Sequence, residues 1–383
     1  MTVRHLPRSM VGRIGATLVP VSRCGGSKMP SADVTPMILA AGHATRLRPL
    51  TATLAKAVVP FLNRPLLDHT LEWLGGHGFE RVLINLHHAG ETIAERYGHR
   101  AFGIAIEYSR EPVLLGTAGG PRNVLDRFGQ RLLIVNGDVV GLLSLGELIR
   151  HHRDSGALAT LALHRGSAAD GYPQVTASTD GRLLAFPGDQ VECSDTVEGV
   201  FTGLHLIERD ALELLPADTP AGTVNSIYDP LLRAGLPIHA IPVAGTWYEV
   251  GDPQRYIDNQ LSSLHLGDVP LGIRGFRRVL AAGYRSPDAH LENVRLVPPY
   301  LAGAGVRLRH GAQLEGVVLG DRTRVGAATR LRRTVTWPDS WVGPECDLRN
   351  AIVMRGVHVP GGTVAENTVF TADGPIRWTE PGT

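Results

Sequence analysis

The chain has 383 residues, 43% of them hydrophobic and 20% charged, with a formal net charge of +1. That length predicts two or three domains, and the balance excludes a chain drawn in bulk to nucleic acid or to an anionic membrane. Cys24, Cys193 and Cys346 are scattered and form no Cys-x-x-Cys pair, which argues against a disulfide framework or a zinc knuckle and fits a reducing cytoplasm. No apolar run reaches the roughly 18 residues of a membrane span.

Residues 1–35 carry Arg4, Arg8, Arg13, Arg23 and Lys28 against a lone acid, Asp33. Their apolar patch from Ile14 to Val21 is broken by Gly15 and Pro20, a poor signal-peptide core, so the segment reads as a disordered arm or as sequence upstream of a start at Met29 or Met37. Over 36–264, apolar strand-like runs alternate with amphipathic helical stretches. Strands are predicted at 37–41, 82–86, 104–108, 132–135, 157–163 and 201–207, and Leu67, Leu71 and Leu74 fall at helical spacing after Pro65. This alternation predicts an α/β domain with a mainly parallel sheet covered on both faces, and ligands at the carboxyl ends of its strands.

After about residue 285 the helical pattern vanishes and the chain repeats itself every seventeen residues. Leu291, Leu308, Val325, Val342 and Val359 form one column, Val297, Leu314, Leu331 and Leu348 a second, and Leu301, Val318, Val335 and Ile352 a third. The first two columns are six residues apart, and Val325-Gly326 and Val342-Gly343 open like hexapeptide repeats. Stacked identical positions predict about four coils of a left-handed parallel β-helix over 291–372, with 265–290 as linker and 373–383 as tail.

The chemistry concentrates in a few loops. Leu39, Ala40, Ala41, Gly42, Ala44 and Thr45 lead from an apolar strand through small residues that let backbone N–H groups approach a polyphosphate, with Arg46 and Lys56 supplying fixed cations. Among 38 basic residues only Lys28 and Lys56 are lysine, which singles out Lys56. A second strand ends in Asn136, Gly137 and Asp138, a carboxylate at a loop tip suited to a hard cation. Gly116, Thr117, Ala118 and Gly119 form a further small-residue segment, where Thr117 would contact ligand or cap a helix. Asp252 before Pro253 has the form of a helix N-cap, His205 that of a core histidine, and Asn85 and His87 that of loop support.

Together these segments resemble the sugar-1-phosphate nucleotidyltransferases, whose signature reads roughly L-A-A-G-x-G-T-R-L-x-P-L-T followed by P-K. The resemblance implies a Rossmann-like, GT-A-like catalytic domain and a C-terminal β-helix like that of mannose-1-phosphate guanylyltransferase-like proteins. It implies the reaction of an NTP with a sugar 1-phosphate to give an NDP-sugar and pyrophosphate, with mannose 1-phosphate and GTP favoured. Arg46, Lys56 and Asp138 would be catalytic, and Asp138 and Glu249 would hold Mg²⁺, with Asp252 as the nearby fallback for Glu249. Residues 39–42, 44–45 and 116–119 would bind nucleotide, and Asn136, Gly137, Thr202 and Gly203 the sugar. Copies would associate through the β-helix. Departures are Ala44 for the second Gly, Ala55 for Pro, Glu249 for the metal-binding Asp, and 184–189, which lacks a second lysine that many members aim at the sugar phosphate. These departures leave two alternatives: a catalytically silent homologue that binds nucleotide sugar and regulates a partner, or a UTP-using branch resembling N-acetylmuramate-1-phosphate uridylyltransferases.

Overall fold

A computed structural model describes residues 33–141, 143–165, 171–189, 191, 193–266, 276–280 and 282–379. The arm expected at 1–35 falls outside these residues up to position 32. Its last acid belongs to the fold, since Asp33 accepts hydrogen bonds from Arg131, at 2.6 Å, and from Arg153.

The α/β domain is built on a ten-stranded sheet. Its centre is β1 (Val34–Leu39), β2 (Arg81–Leu86), β3 (Ile104–Arg110) and β4 (Arg131–Asn136), all parallel, in the order β4-β1-β2-β3. A short strand, β5 (Val139–Gly141), follows β4. Outside β4, the long β8 (Thr196–Glu208) runs antiparallel to β4, β6 (Ala159–His164) and β7 (Gln174–Ser178), and β9 (Ile238–Pro242) lies parallel to β6. The period-two alternation of the buried strands sends side chains to two cores. Ile38, Ile84 and Leu133 meet α1 (Leu66–Gly76), α2 (Glu91–Tyr97) and α4 (Leu145–Ser155) on one face; Met37, Leu83 and Ile134 meet α3 (Gly116–Arg122) on the other. The doubly covered sheet read from the sequence is therefore present, although Ala40 and Ala41 have left the strand for the loop.

A two-stranded ladder then pairs β10 (Trp247–Glu249) with β5, and α5 (Pro253–Leu266) leads out of the domain. Asp252 caps α5, its Oδ1 accepting from Arg255 N–H at 2.8 Å.

The solenoid stacks β11 (Arg295–Ala302), β12 (Gln313–Leu319), β13 (Arg330–Thr336), β14 (Asp347–Val353) and β15 (Val364–Thr371) in parallel register. Two of the three columns align as the sequence indicates. In the other, Leu296 and not Val297 pairs with Leu314, because the register slips by one residue between Val297 and Tyr300, where Pro298 and Pro299 cannot donate to the ladder. Each coil turns at three recurring positions of positive φ, seen at Arg322, Ala328 and Arg333 and again at Asp339, Glu345 and Asn350, which makes it three-sided. Arg277–Leu280 and Gly283–Arg285 already belong to this sheet, taking in part of the segment expected as linker. At both sheet ends the outermost strand, Arg277–Leu280 or Gly374–Arg377, runs antiparallel to its neighbour.

The two units share one apolar cluster. Leu47, Val59, Phe61 and Leu66 of the α/β domain and Tyr256, Ile257 and Leu264 of α5 pack with Leu301, Val318, Val335 and Ile352 of the solenoid, and all are nearly fully buried.

Candidate active site

Strand order reverses direction between β1 and β4, and a cleft of about 490 Å³ opens at their carboxyl ends, where an open α/β sheet places its ligands. Leu39 pairs with Asn85 on one side and Asn136 on the other, so three strand ends converge there. The cleft wall contains Leu39, Ala40, Ala41, Gly42, Ala44, Thr45, Arg46, Lys56, Gly116, Thr117, Asn136, Gly137 and Asp138.

At its base Lys56 Nζ donates to Asp138 Oδ2 at 2.8 Å, and the lysine is mostly buried. The other carboxylate oxygen, Oδ1, is buried without a hydrogen-bond partner. Asn85 holds the loop, accepting from Ala40 N–H at 2.7 Å and donating to the buried Glu111 at 2.8 Å. Ala44 adopts the left-handed conformation, φ 48° and ψ 43°, which a glycine takes without steric cost. That explains why the family signature has Gly at this place.

Five expected site residues stand off the cleft. Ala118 and Gly119 are inside α3, where Ala118 N–H bonds Ala221 O at 2.9 Å and a Cβ on Gly119 would meet Thr219 O at 2.4 Å. Their small size serves helix packing. Thr202 is buried, its hydroxyl donating to Ala162 O at 2.8 Å. Gly203, at φ +77°, leaves room for the Asn136 side chain, which any Cβ there would strike at 2.2 Å, so it supports a wall residue from behind. Glu249 faces Val139 across the β5–β10 ladder, with its oxygens 3.5 Å from Arg46 Nη2 and 3.4 Å from Arg255 Nη1. Arg255 in turn lies over the Tyr172 ring at 4.2 Å, and burial, then the Glu249 charge, push the Tyr172 hydroxyl up to about 12. Thr117, on the cleft wall, accepts from Thr223 N–H at 2.8 Å.

Sequence reasoning missed His43, Ala57, Leu114 and Gly251 on the wall. His43 sits inside the quoted signature, so its neighbours were the available signal. His205 is a core histidine, bonded to Tyr228 and held neutral by burial, which pulls it down to about 3.

A small-residue loop, a lysine–aspartate pair and a cleft at the strand-order switch define a nucleotide-handling α/β enzyme. The chain belongs to the nucleotidyl transferase family, whose model matches residues 35–265; a GlmU-like, C-terminal hexapeptide model matches 301–368. It is 28% identical to mannose-1-phosphate guanylyltransferase of Mycobacterium tuberculosis, over 80% of this chain and 85% of the relative. It is 24% identical to UTP–glucose-1-phosphate uridylyltransferase of Synechocystis, over 83% and 86%. It is 26% identical to a probable mannose-1-phosphate guanylyltransferase of Arabidopsis thaliana, over 88% and 97%.

Proposed function

We propose that the protein transfers a nucleotidyl group from an NTP to a sugar 1-phosphate, with GTP and mannose 1-phosphate as the favoured pair. The observation that carries this reading is the Lys56–Asp138 pair beneath a small-residue loop at the strand switch. A sugar-phosphate oxygen attacks the nucleotide α-phosphorus; the new P–O bond forms as the α–β bridging P–O bond breaks, and that electron pair leaves with pyrophosphate. Nothing covalent forms on the protein, so catalysis consists of positioning and charge stabilisation. Arg46 offers its guanidinium fork to phosphate oxygens, Lys56 its ammonium, and the 39–45 loop its N–H groups.

The family's divalent cation fits these residues. Asp138 Oδ1 is a buried oxygen without a partner, Glu249 lies across the adjoining ladder, and among the described residues no cluster of three or more His, Cys, Asp or Glu forms a cage. Mg²⁺ is suited to such a site, because it takes one or two carboxylates and completes its shell with phosphates and water. When bound it would neutralise charge on the reacting phosphates.

A second reading, UTP as nucleotide, is favoured by the Synechocystis relative and by the absence of a basic residue in 184–189. Pyrophosphate release from GTP and UTP, each with mannose 1-phosphate and glucose 1-phosphate, separates the two. Calorimetric binding of these ligands with no pyrophosphate from any pair would identify a silent binder and overturn both. We also assign association between copies to the solenoid's side faces; a full-length chain that sediments as a monomer at micromolar concentration would overturn it. Among the described residues no helix is long and apolar enough to cross a membrane.

A further inference from the structure

The segment that follows Lys56 is held by α5 and the solenoid as well as by α1. Lys56 begins a single 3₁₀ turn closed by Val59 N–H to Lys56 O at 3.0 Å, and the chain then enters a tight hairpin, Pro60–Phe61 against Arg64–Pro65. The hairpin tip places Leu62 at φ 49° and Asn63 at φ 65°, a conformation that costs a leucine more than it costs glycine or asparagine. Side-chain hydrogen bonds hold it from two sides, and on the near side His69 Nε2 of α1 donates to Phe61 O at 3.0 Å. Tyr256 Oη donates to Pro60 O at 2.5 Å, Gln260 Oε1 accepts from Leu62 N–H at 2.9 Å, and Asn63 Nδ2 donates to Leu319 O of the solenoid at 2.8 Å.

Tyr256 is itself held. Trp337 Nε1 of the solenoid donates to Tyr256 Oη at 3.0 Å, and both side chains are almost wholly buried. An indole N–H only donates and a carbonyl only accepts, so the proton order is fixed as Trp337 N–H to Tyr256 Oη–H to Pro60 O. The same helix reaches the other edge of the cleft, where Asn259 Nδ2 donates to Glu249 O at 2.7 Å. Its outward side is pinned to the solenoid, by Asp258 to Arg333 and by Gln254 Oε1, which accepts from Asn350 Nδ2 at 2.5 Å.

We propose that Tyr256 and Trp337 are positioning residues for Lys56, so that α5 acts as a strut through which the solenoid sets catalytic geometry within its own chain. The inference rests on Lys56 acting in nucleotidyl transfer, but the coupling itself is open to measurement without turnover. Phe at 256 removes only the hydroxyl, and Phe at 337 keeps an apolar ring while removing the N–H, so the two variants address the two hydrogen bonds.

Tyr256→Phe leaves Pro60 O and Trp337 N–H without their partner. It is expected to lower kcat about tenfold at saturating substrates, with KM for the nucleotide within about twofold, and to speed amide exchange at Val58 and Val59. Trp337→Phe, which keeps the Tyr256–Pro60 bond, should do less of both, and should add nothing in the double variant. Leu331→Ala, in the solenoid's own core cluster and not the one shared with α5, is the control for general destabilisation. If Tyr256→Phe leaves kcat and exchange at 58–59 unchanged, or if Leu331→Ala lowers kcat of the folded protein equally, the strut is wrong. If wild type turns over no substrate pair, the functional reading fails, while altered exchange at 58–59 in Tyr256→Phe still supports the coupling and unaltered exchange overturns it.

Discussion

Ala44 in the cleft loop and Ala328 in the solenoid share one uncommon backbone state, φ 48° and φ 57°, but sit in opposite settings. Ala328 is one corner in a series, and its N–H bonds His310 O at 3.0 Å in the coil before, as Glu345 N–H bonds Ala327 O at 2.9 Å in the next. Neighbouring coils thus supply the same support repeatedly. Ala44 stands alone, clamped through its carbonyl by Leu47 N–H at 3.1 Å and by the buried Thr51 hydroxyl at 2.9 Å. Where a fold repeats, left-handed corners tolerate Arg, Glu and Asp; where such a residue occurs singly in a loop, local bonds carry the strain.

Acid provides the broadest test of the contrast, because the buried histidines His69, His152 and His205 all belong to the α/β domain. Burial lowers His69 and His152 from 6.5 to about 4 and His205 to about 3. The unfolded chain therefore takes up protons near pH 6.5 that the folded chain refuses, so stability is intact above 6.5 and falls as pH drops toward 4. Each tenfold loss of proton affinity at a histidine is worth about 1.4 kcal/mol, which makes this the largest expected effect. Denaturation midpoints measured between pH 7 and 4 should fall throughout; a flat profile would show these imidazoles to be solvated.

Leu331→Ala empties a fully buried slot in the solenoid column and should cost about 2–5 kcal/mol in denaturant unfolding, leaving substrate KM values unchanged. Lys56→Ala should do the reverse: kcat/KM falls at least about a hundredfold, roughly 2.7 kcal/mol of transition-state stabilisation, with little change in melting. Wild-type kinetics in that variant would remove Lys56 from the chemistry.

Glu249 sharpens the comparison beside the cleft. If it joins Asp138 at the metal, Glu249→Asp keeps or raises turnover and Glu249→Ala weakens the Mg²⁺ dependence; an unchanged dependence would leave Glu249 as a partner of Arg46 and Arg255 alone. Smallest of all, Ala44→Gly should stabilise the protein by about 0.5–1 kcal/mol by removing the left-handed penalty. Ala328→Gly should give less, since two coils already hold that corner. Equal gains at both sites would contradict the argument from repetition.

The parts of the molecule legible in sequence were those written in a short period. All six predicted strands occur, and two solenoid columns align residue for residue, because the twofold alternation and the seventeen-residue repeat are local signals. The displaced Val297 was hidden, since a repeat count does not register a slip at two prolines. In the site, contiguous small residues revealed the loop. The Gly116–Gly119 segment divides in the fold, Gly116 and Thr117 lining the cleft and Gly119 packing against Thr219 O, a contact with residues far off in sequence. The Asn85–Glu111 support and the cluster shared by both units depend on residues far apart in sequence, and composition carries no trace of such pairings.

The reversed strands at both ends of the solenoid sheet bear on how copies of the chain can meet. A parallel stack with open edges is a template for unlimited growth, each molecule offering its last strand to the next. Here each outermost strand is short, runs against the stacking direction and is rich in arginine at one end, with Arg277 and Arg278, and closes on Arg377 at the other. Edge-to-edge addition to this sheet is thereby hindered, whereas the solenoid's second sheet, from His290–Leu291 to His358–Val359, is parallel to both its ends.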